Sequence, residues 1–115
     1  MKTQSFTLHT EQQGCYDITA AVCKSISDAG IQSGICTVFC PHTTAGIWIG
    51  ENTAARYGER REDISHACRS ARASEILPVE NGKPLLGTWQ SVYLVERDGP
   101  DSRTYFVKVM ADTGD

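Results

Sequence analysis

Residues 34–52 read GICTVFCPHTTAGIWIGEN. Two apolar, β-branched runs, GICTVFC (34–40) and AGIWIG (45–50), flank the PHTT turn (41–44). Both are short and bounded by turn formers, so each predicts a strand. Polar groups gather where the runs end: His42, Thr43 and Thr44 in the turn, Glu51 and Asn52 after the second run. Rigid strands that deliver polar groups to loops are a common way to build a site.

Upstream, SFTLHT (5–10) predicts a first strand. CYDITAAVCKSISDAG (15–30) predicts a helix, because Ile18, Ala21, Val22, Ile26 and Ala29 recur at helical spacing. Asp17 can cap its start and Gly30 can stop it. Downstream, residues 51–72 turn charged and Ala-rich, which predicts a partly helical stretch interrupted at Gly58. The tail reads as a meander. EILPV (75–79) and PLLGTWQSVYLVE (84–96) flank Asn81-Gly82, a type I′ hairpin signal, and TYFVKVM (104–110) is the last strand. The order predicts one α+β domain over residues 1–115, mostly strands in a mixed or antiparallel sheet with one or two helices.

The chain has 115 residues, a net charge of -3 and a pI near 5.5. That balance shows no basic face for nucleic acid. No apolar run approaches the roughly 20 residues of a membrane span. The first residues, MKTQSFTLHTEQQG, lack the apolar centre of a signal peptide. Five cysteines, an odd count with no framework spacing, point to reduced thiols and a cytoplasmic protein.

Local chemistry leaves alternatives open. His42 can act as a general acid/base or metal ligand, or be a turn histidine hydrogen-bonded after Pro41. Thr43 and Thr44 can donate to phosphate oxygens, or serve as ordinary turn residues. Glu51 and Asn52 can line a site, or Asn52 can cap the following helix. A zinc reading of Cys36, Cys40 and His42 fails on geometry. Four strand residues span about 13 Å, whereas zinc ligands lie about 2.0–2.3 Å from the metal. The arginines Arg56, Arg60, Arg61, Arg69 and Arg72, mixed with Glu59, Glu62 and Asp63, form either a solvated face or a phosphate clamp.

The ordered set GICTVFCPHTTAGIWIGEN, SHACRSA, LGTWQ and ERDGP resembles the YjbQ family over nearly the whole chain. Members of that family are described as having secondary thiamine-phosphate synthase activity. The resemblance implies a compact α+β homotrimer with sites near subunit boundaries. It implies catalytic or metal-ligand roles for His42, His66 and Glu51, with Mg²⁺ or Zn²⁺ as the candidate cation. It implies substrate contacts from Thr43, Thr44, Asn52, Trp89, Gln90 and Glu96, and a small phosphorylated molecule as ligand. The expected reaction joins a pyrimidine pyrophosphate to a thiazole phosphate. The alternative is a catalytically degraded protein that binds a phosphorylated metabolite or a divalent metal. One departure stands out. Family members carry a longer helical insert between the Glu-Asn pair and the Ala-His helix, ending in a Tyr-x-His loop. Here only thirteen residues separate Asn52 from His66, and that loop histidine has no counterpart.

Overall fold

The computed structural model describes residues 3–112. Its strands are β1 (Thr3–Thr10), β2 (Gly14–Asp17), β3 (Gly34–Phe39), β4 (Ala45–Glu51), β5 (Ser74–Glu80), β6 (Lys83–Pro84), β7 (Gln90–Glu96) and β8 (Asp101–Ala111). The helices are α1 (Thr19–Ala29), α2 (Thr53–Tyr57) and α3 (Ile64–Ser70). The expected α+β class is correct, and every strand pairing is antiparallel.

The strands form two sheets: a large one ordered β1-β8-β3-β5-β6 and a small one ordered β2-β7-β4. Alternation explains how they pack. Cys36 and Val38 of β3, Leu77 and Val79 of β5, and Tyr105, Val107 and Val109 of β8 point inward. They meet Ile47, Val92 and Leu94 of the small sheet, while Val22 and Ile26 of α1 close the same core. The opposite parity of the small sheet, Cys15, Trp48, Tyr93 and Val95, packs under α3 through Ile64, Ala67 and Ala71.

Three expectations are corrected. Residues 15–17 belong to β2, and α1 starts at Thr19. Pairing of Cys15 with Val95 and of Asp17 with Tyr93 overrides the local helical pattern. Asp17 still assists the helix start, its Oδ1 accepting from Thr19 N at 2.9 Å. The 84–96 run is not one strand. Pro84 ends β6, Gln90 N donates to Gly87 O at 3.1 Å, and β7 begins only at Gln90. Nor is the tail a meander, because β7 crosses to the small sheet before β8 returns to the large one. Other signals hold. Gly30 takes the left-handed conformation that ends α1, and Asn81 and Gly82 both have positive φ, as a type I′ turn requires.

Candidate functional site

The PHTT turn carries the chain from β3 in the large sheet to β4 in the small one. Strand β4 then separates the two halves of the candidate site. At one end Ala45 pairs with Glu96, and at the other Glu51 pairs with Gln90. At the ~3.3 Å rise of a strand residue, those ends lie roughly 20 Å apart.

The first end is closed. Glu96 has no exposed surface. Arg103 donates to both its carboxylate oxygens, Nε to Oε1 at 2.7 Å and Nη2 to Oε2. Thr10 Oγ1 donates to Oε1 at 2.6 Å, and Asp98 N donates to Oε2 at 3.2 Å. The Arg103 guanidinium, opposed by burial and helped by the Thr10 and Asp98 donors, holds the Glu96 carboxyl down at about 2. Arg103 also reaches Thr44 Oγ1 at 2.6 Å, while Arg97 N donates to Thr44 O at 2.9 Å. Glu96 is thus engaged by the fold and offers no uncommitted group to a substrate, whereas Thr44 is exposed and its hydroxyl only accepts from Arg103.

His42 sits at this same end. Strand β3 stops at Phe39 opposite Phe106, and the His42 ring takes over farther along β8. Its Nε2 accepts from Thr104 N at 3.0 Å. A nitrogen that accepts a hydrogen bond carries no proton, so the neutral ring holds its proton on Nδ1. The turn-histidine reading describes this geometry. Thr43 is exposed beside it.

The second end is open. Glu51 is partly exposed and pairs with Arg56 at 2.7 Å. Asn52 caps α2, its Oδ1 accepting from Ala55 N at 2.9 Å, and its Nδ2 donates to Ser91 Oγ at 3.1 Å. Its backbone N donates to Trp89 O at 2.6 Å, joining the Glu-Asn pair to the Trp89-Gln90 pair. Trp89 is exposed, and Gln90 Oε1 accepts from Gly87 N at 2.8 Å.

His66 stands apart from both ends, on α3 over the middle of the small sheet. Its ring meets Trp48 edge-on at 5.9 Å, and its Nε2 lies 3.4 Å from Ser70 Oγ. His42 is tied to the large sheet. Among the described residues, no group of three or more His, Cys, Asp and Glu is placed to hold a metal ion. His42, His66 and Glu51 are therefore not gathered into a metal centre within one chain.

The arginines behave as a mixed-charge surface. Arg61 pairs with Glu59, Arg60 with Glu62 and Arg56 with Glu51. Arg56 and Arg61 also lie over the Tyr57 ring, at 5.1 and 4.4 Å. The residues missed in the sequence are Arg103 and Thr10. The signal for Arg103 was parity, since it shares a face of β8 with buried Tyr105, Val107 and Val109. An arginine on that face needs a buried acid.

Comparisons with known proteins agree with this architecture. The family model described as UPF0047 protein YjbQ-like matches in two overlapping stretches, 4–71 and 58–112. UPF0047 protein YugU of Bacillus subtilis is 34% identical over 122 aligned residues, covering 88% of this chain and 92% of that protein. A UPF0047 protein of Methanocaldococcus jannaschii is 32% identical, with 84% of each chain covered. A crystal structure from C. acetobutylicum superposes with a TM-score of 0.78 at 36% identity, covering 95% of this chain and 99% of that one. A YbjQ-like protein of unknown function from Sulfolobus solfataricus gives a TM-score of 0.77 at 28% identity, covering 96% and 97%. The YugU alignment is longer than the 115-residue chain, and the family match overlaps itself across α3. Both fit a chain shortened between α2 and α3. With its motifs, its two-sheet architecture and these matches in agreement, the chain belongs to the YjbQ-like UPF0047 family.

Proposed function

We propose that the chain is a homotrimeric, cytoplasmic binding protein for a small phosphorylated molecule, with catalysis reduced relative to its longer relatives. The observation that carries this reading is the division of the motif residues. Glu96 and Nε2 of His42 are engaged by the fold at one end of β4–β7, whereas Glu51, Trp89 and Gln90 reach the surface at the other. Side chains that a single chain keeps apart can meet across a subunit boundary. The large sheet supports assembly. Its outer face carries Ile35, Phe39, Ile76 and Met110, all exposed, in rows set by the pairing of Ile35 with Met110 and of Thr37 with Ile76. Apolar patches of this kind mark protein–protein interfaces. A divalent metal would draw its ligands from more than one subunit.

A second reading is a weak transferase that joins a pyrimidine pyrophosphate to a thiazole phosphate and releases pyrophosphate. The exposed His66 favours it, because an accessible imidazole can reach a bound substrate. Calorimetry with thiamine phosphate, beside a synthase assay with and without Mg²⁺, separates the two. Binding without turnover is the expected result, and turnover abolished by His66→Ala overturns it. Light scattering should give three times the 12.6 kDa chain mass. A clean monomer at micromolar concentration defeats the shared site.

A further inference from the structure

The connection between α2 and α3 walls a cavity that the family motifs do not account for. The connection is pinned at both ends. Arg61 N donates to the buried Thr53 Oγ1 at 2.8 Å, and Asp63 Oδ1 accepts from His66 N at 3.0 Å. Just before the first pin Arg60 folds back onto β2, its Nη2 donating to Cys15 O at 3.2 Å. Its Nε donates to both carboxylate oxygens of Glu62, at 3.0 and 3.2 Å. Beneath lies a cavity of about 250 Å³, lined chiefly by Cys15, Asp17, Asn52, Arg60, Glu62 and Tyr93. This is the segment in which the matches place the shortening of the chain.

The lining sets the chemistry of a guest. Two carboxylates face one guanidinium. The Glu62 side chain is 9% exposed, yet one N–H is its recorded donor, and a carboxylate can accept about four. Asp17 uses Oδ1 for Thr19 N and keeps Oδ2 for other donors. Burial and then the Asp17 carboxylate push the Tyr93 phenol up against a hydrogen bond to Ser91, with a weaker push from Glu62. Two carboxylates against one guanidinium leave the lining with a net negative charge. Among the described residues no set of three His, Cys, Asp and Glu is placed to hold a metal ion, and the negative lining suits an organic cation. The second N–H of Asn52 Nδ2 and the remaining N–H groups of Arg60 can meet an acceptor on the same guest. At roughly 30 Å³ per water, the space equals about eight waters, enough for a small molecule.

We propose that this cavity binds a small primary ammonium compound that also carries a hydrogen-bond acceptor, such as an amino alcohol. The ammonium sits between Asp17 and Glu62, and the acceptor turns toward Arg60 and Asn52. The proposal does not depend on the phosphorylated ligand above.

An NMR titration of the full chain with ethanolamine near neutral pH tests it, with ethylene glycol as the neutral analogue and acetate as the anionic one. Saturable shifts with a millimolar midpoint are expected at residues 14–17, the Asn52 side chain and residues 58–63. Neither control should reproduce them. Asp17→Asn and Glu62→Gln should each weaken ethanolamine roughly tenfold, about the loss of one charge-assisted hydrogen bond. Asp17→Asn keeps the acceptor for Thr19 N, so it decides the matter alone if Glu62→Gln fails to fold. The absence of saturable shifts, an equal response to ethylene glycol, or unchanged affinity in Asp17→Asn overturns the proposal.

Discussion

The two ends of the β4–β7 pair carry motif residues of the same kinds and use them differently. At the Ala45–Glu96 end, a carboxylate, an arginine and Thr10 make a buried cluster in which Glu96 has no accessible surface. At the Glu51–Gln90 end, a carboxylate and an arginine pair in solvent beside an exposed tryptophan. Motif membership therefore does not separate a residue that builds the fold from one that faces a ligand. Burial and hydrogen-bond saturation do.

The sharpest test exchanges the acids at the two ends. Glu96→Gln leaves Arg103 charged and buried with only the more distant, largely exposed Asp101 carboxylate at 3.6 Å. A cost of about 3–5 kcal/mol is expected from urea denaturation, the usual effect of breaking a buried pair. Glu51→Gln should leave the urea midpoint where it is, because its pair with Arg56 is solvated. Equal effects would erase the distinction.

Acid provides the second test. Glu96 is held down at about 2 when folded, so the unfolded chain takes up that proton first as pH falls. Its contribution is complete above the ordinary carboxylate range near 4.5 and is lost as pH drops through about 2. Thermal melts across that window should show stability falling with acid. The fall should be shallower in Glu96→Gln, which has no carboxylate to protonate.

Smaller effects are expected at Gly50 and His42. An added Cβ at Gly50 would overlap ring carbons of Trp48, which folds down along the same face of β4. Gly50→Ala should cost about 1–3 kcal/mol and shift tryptophan emission, since the ring must move or strain. His42→Ala leaves Thr104 N without its acceptor, for a similar cost of about 1–3 kcal/mol. If His42 serves only the fold, ligand binding by the folded fraction should persist.

Much of the fold was legible because strand runs bounded by Gly, Pro and Asn leave few alternatives. The 34–39 and 45–51 strands, the Gly30 stop, the Gly58 break and the Asn81-Gly82 turn all follow from local chemistry. What escaped was long-range. Helical spacing at residues 15–17 could not reveal that β7 was waiting to pair with them. Nor could the PHTT turn reveal by itself that it carries the chain from the large sheet to the small one. The site was legible as a list of residues but not as an arrangement. Asn52 is both motif residue and helix cap, and Glu96 is consumed by an arginine and a threonine from distant strands.

His66 should give the smallest stability change and the most telling functional one. Its imidazole is exposed on α3, touching the Trp48 ring edge-on and lying near Ser70 Oγ. Neither contact leaves a buried group unsatisfied when the ring is removed. His66→Ala should therefore melt close to the parent protein, whereas His42→Ala should not. If the accessible histidine belongs to the ligand site, calorimetry with thiamine phosphate should show binding weakened in His66→Ala and kept in folded His42→Ala. The reverse pattern would relocate the site to the PHTT turn. That result would require Nε2 of His42 to release Thr104 N when ligand arrives, and the Thr104 amide resonance would report the change directly.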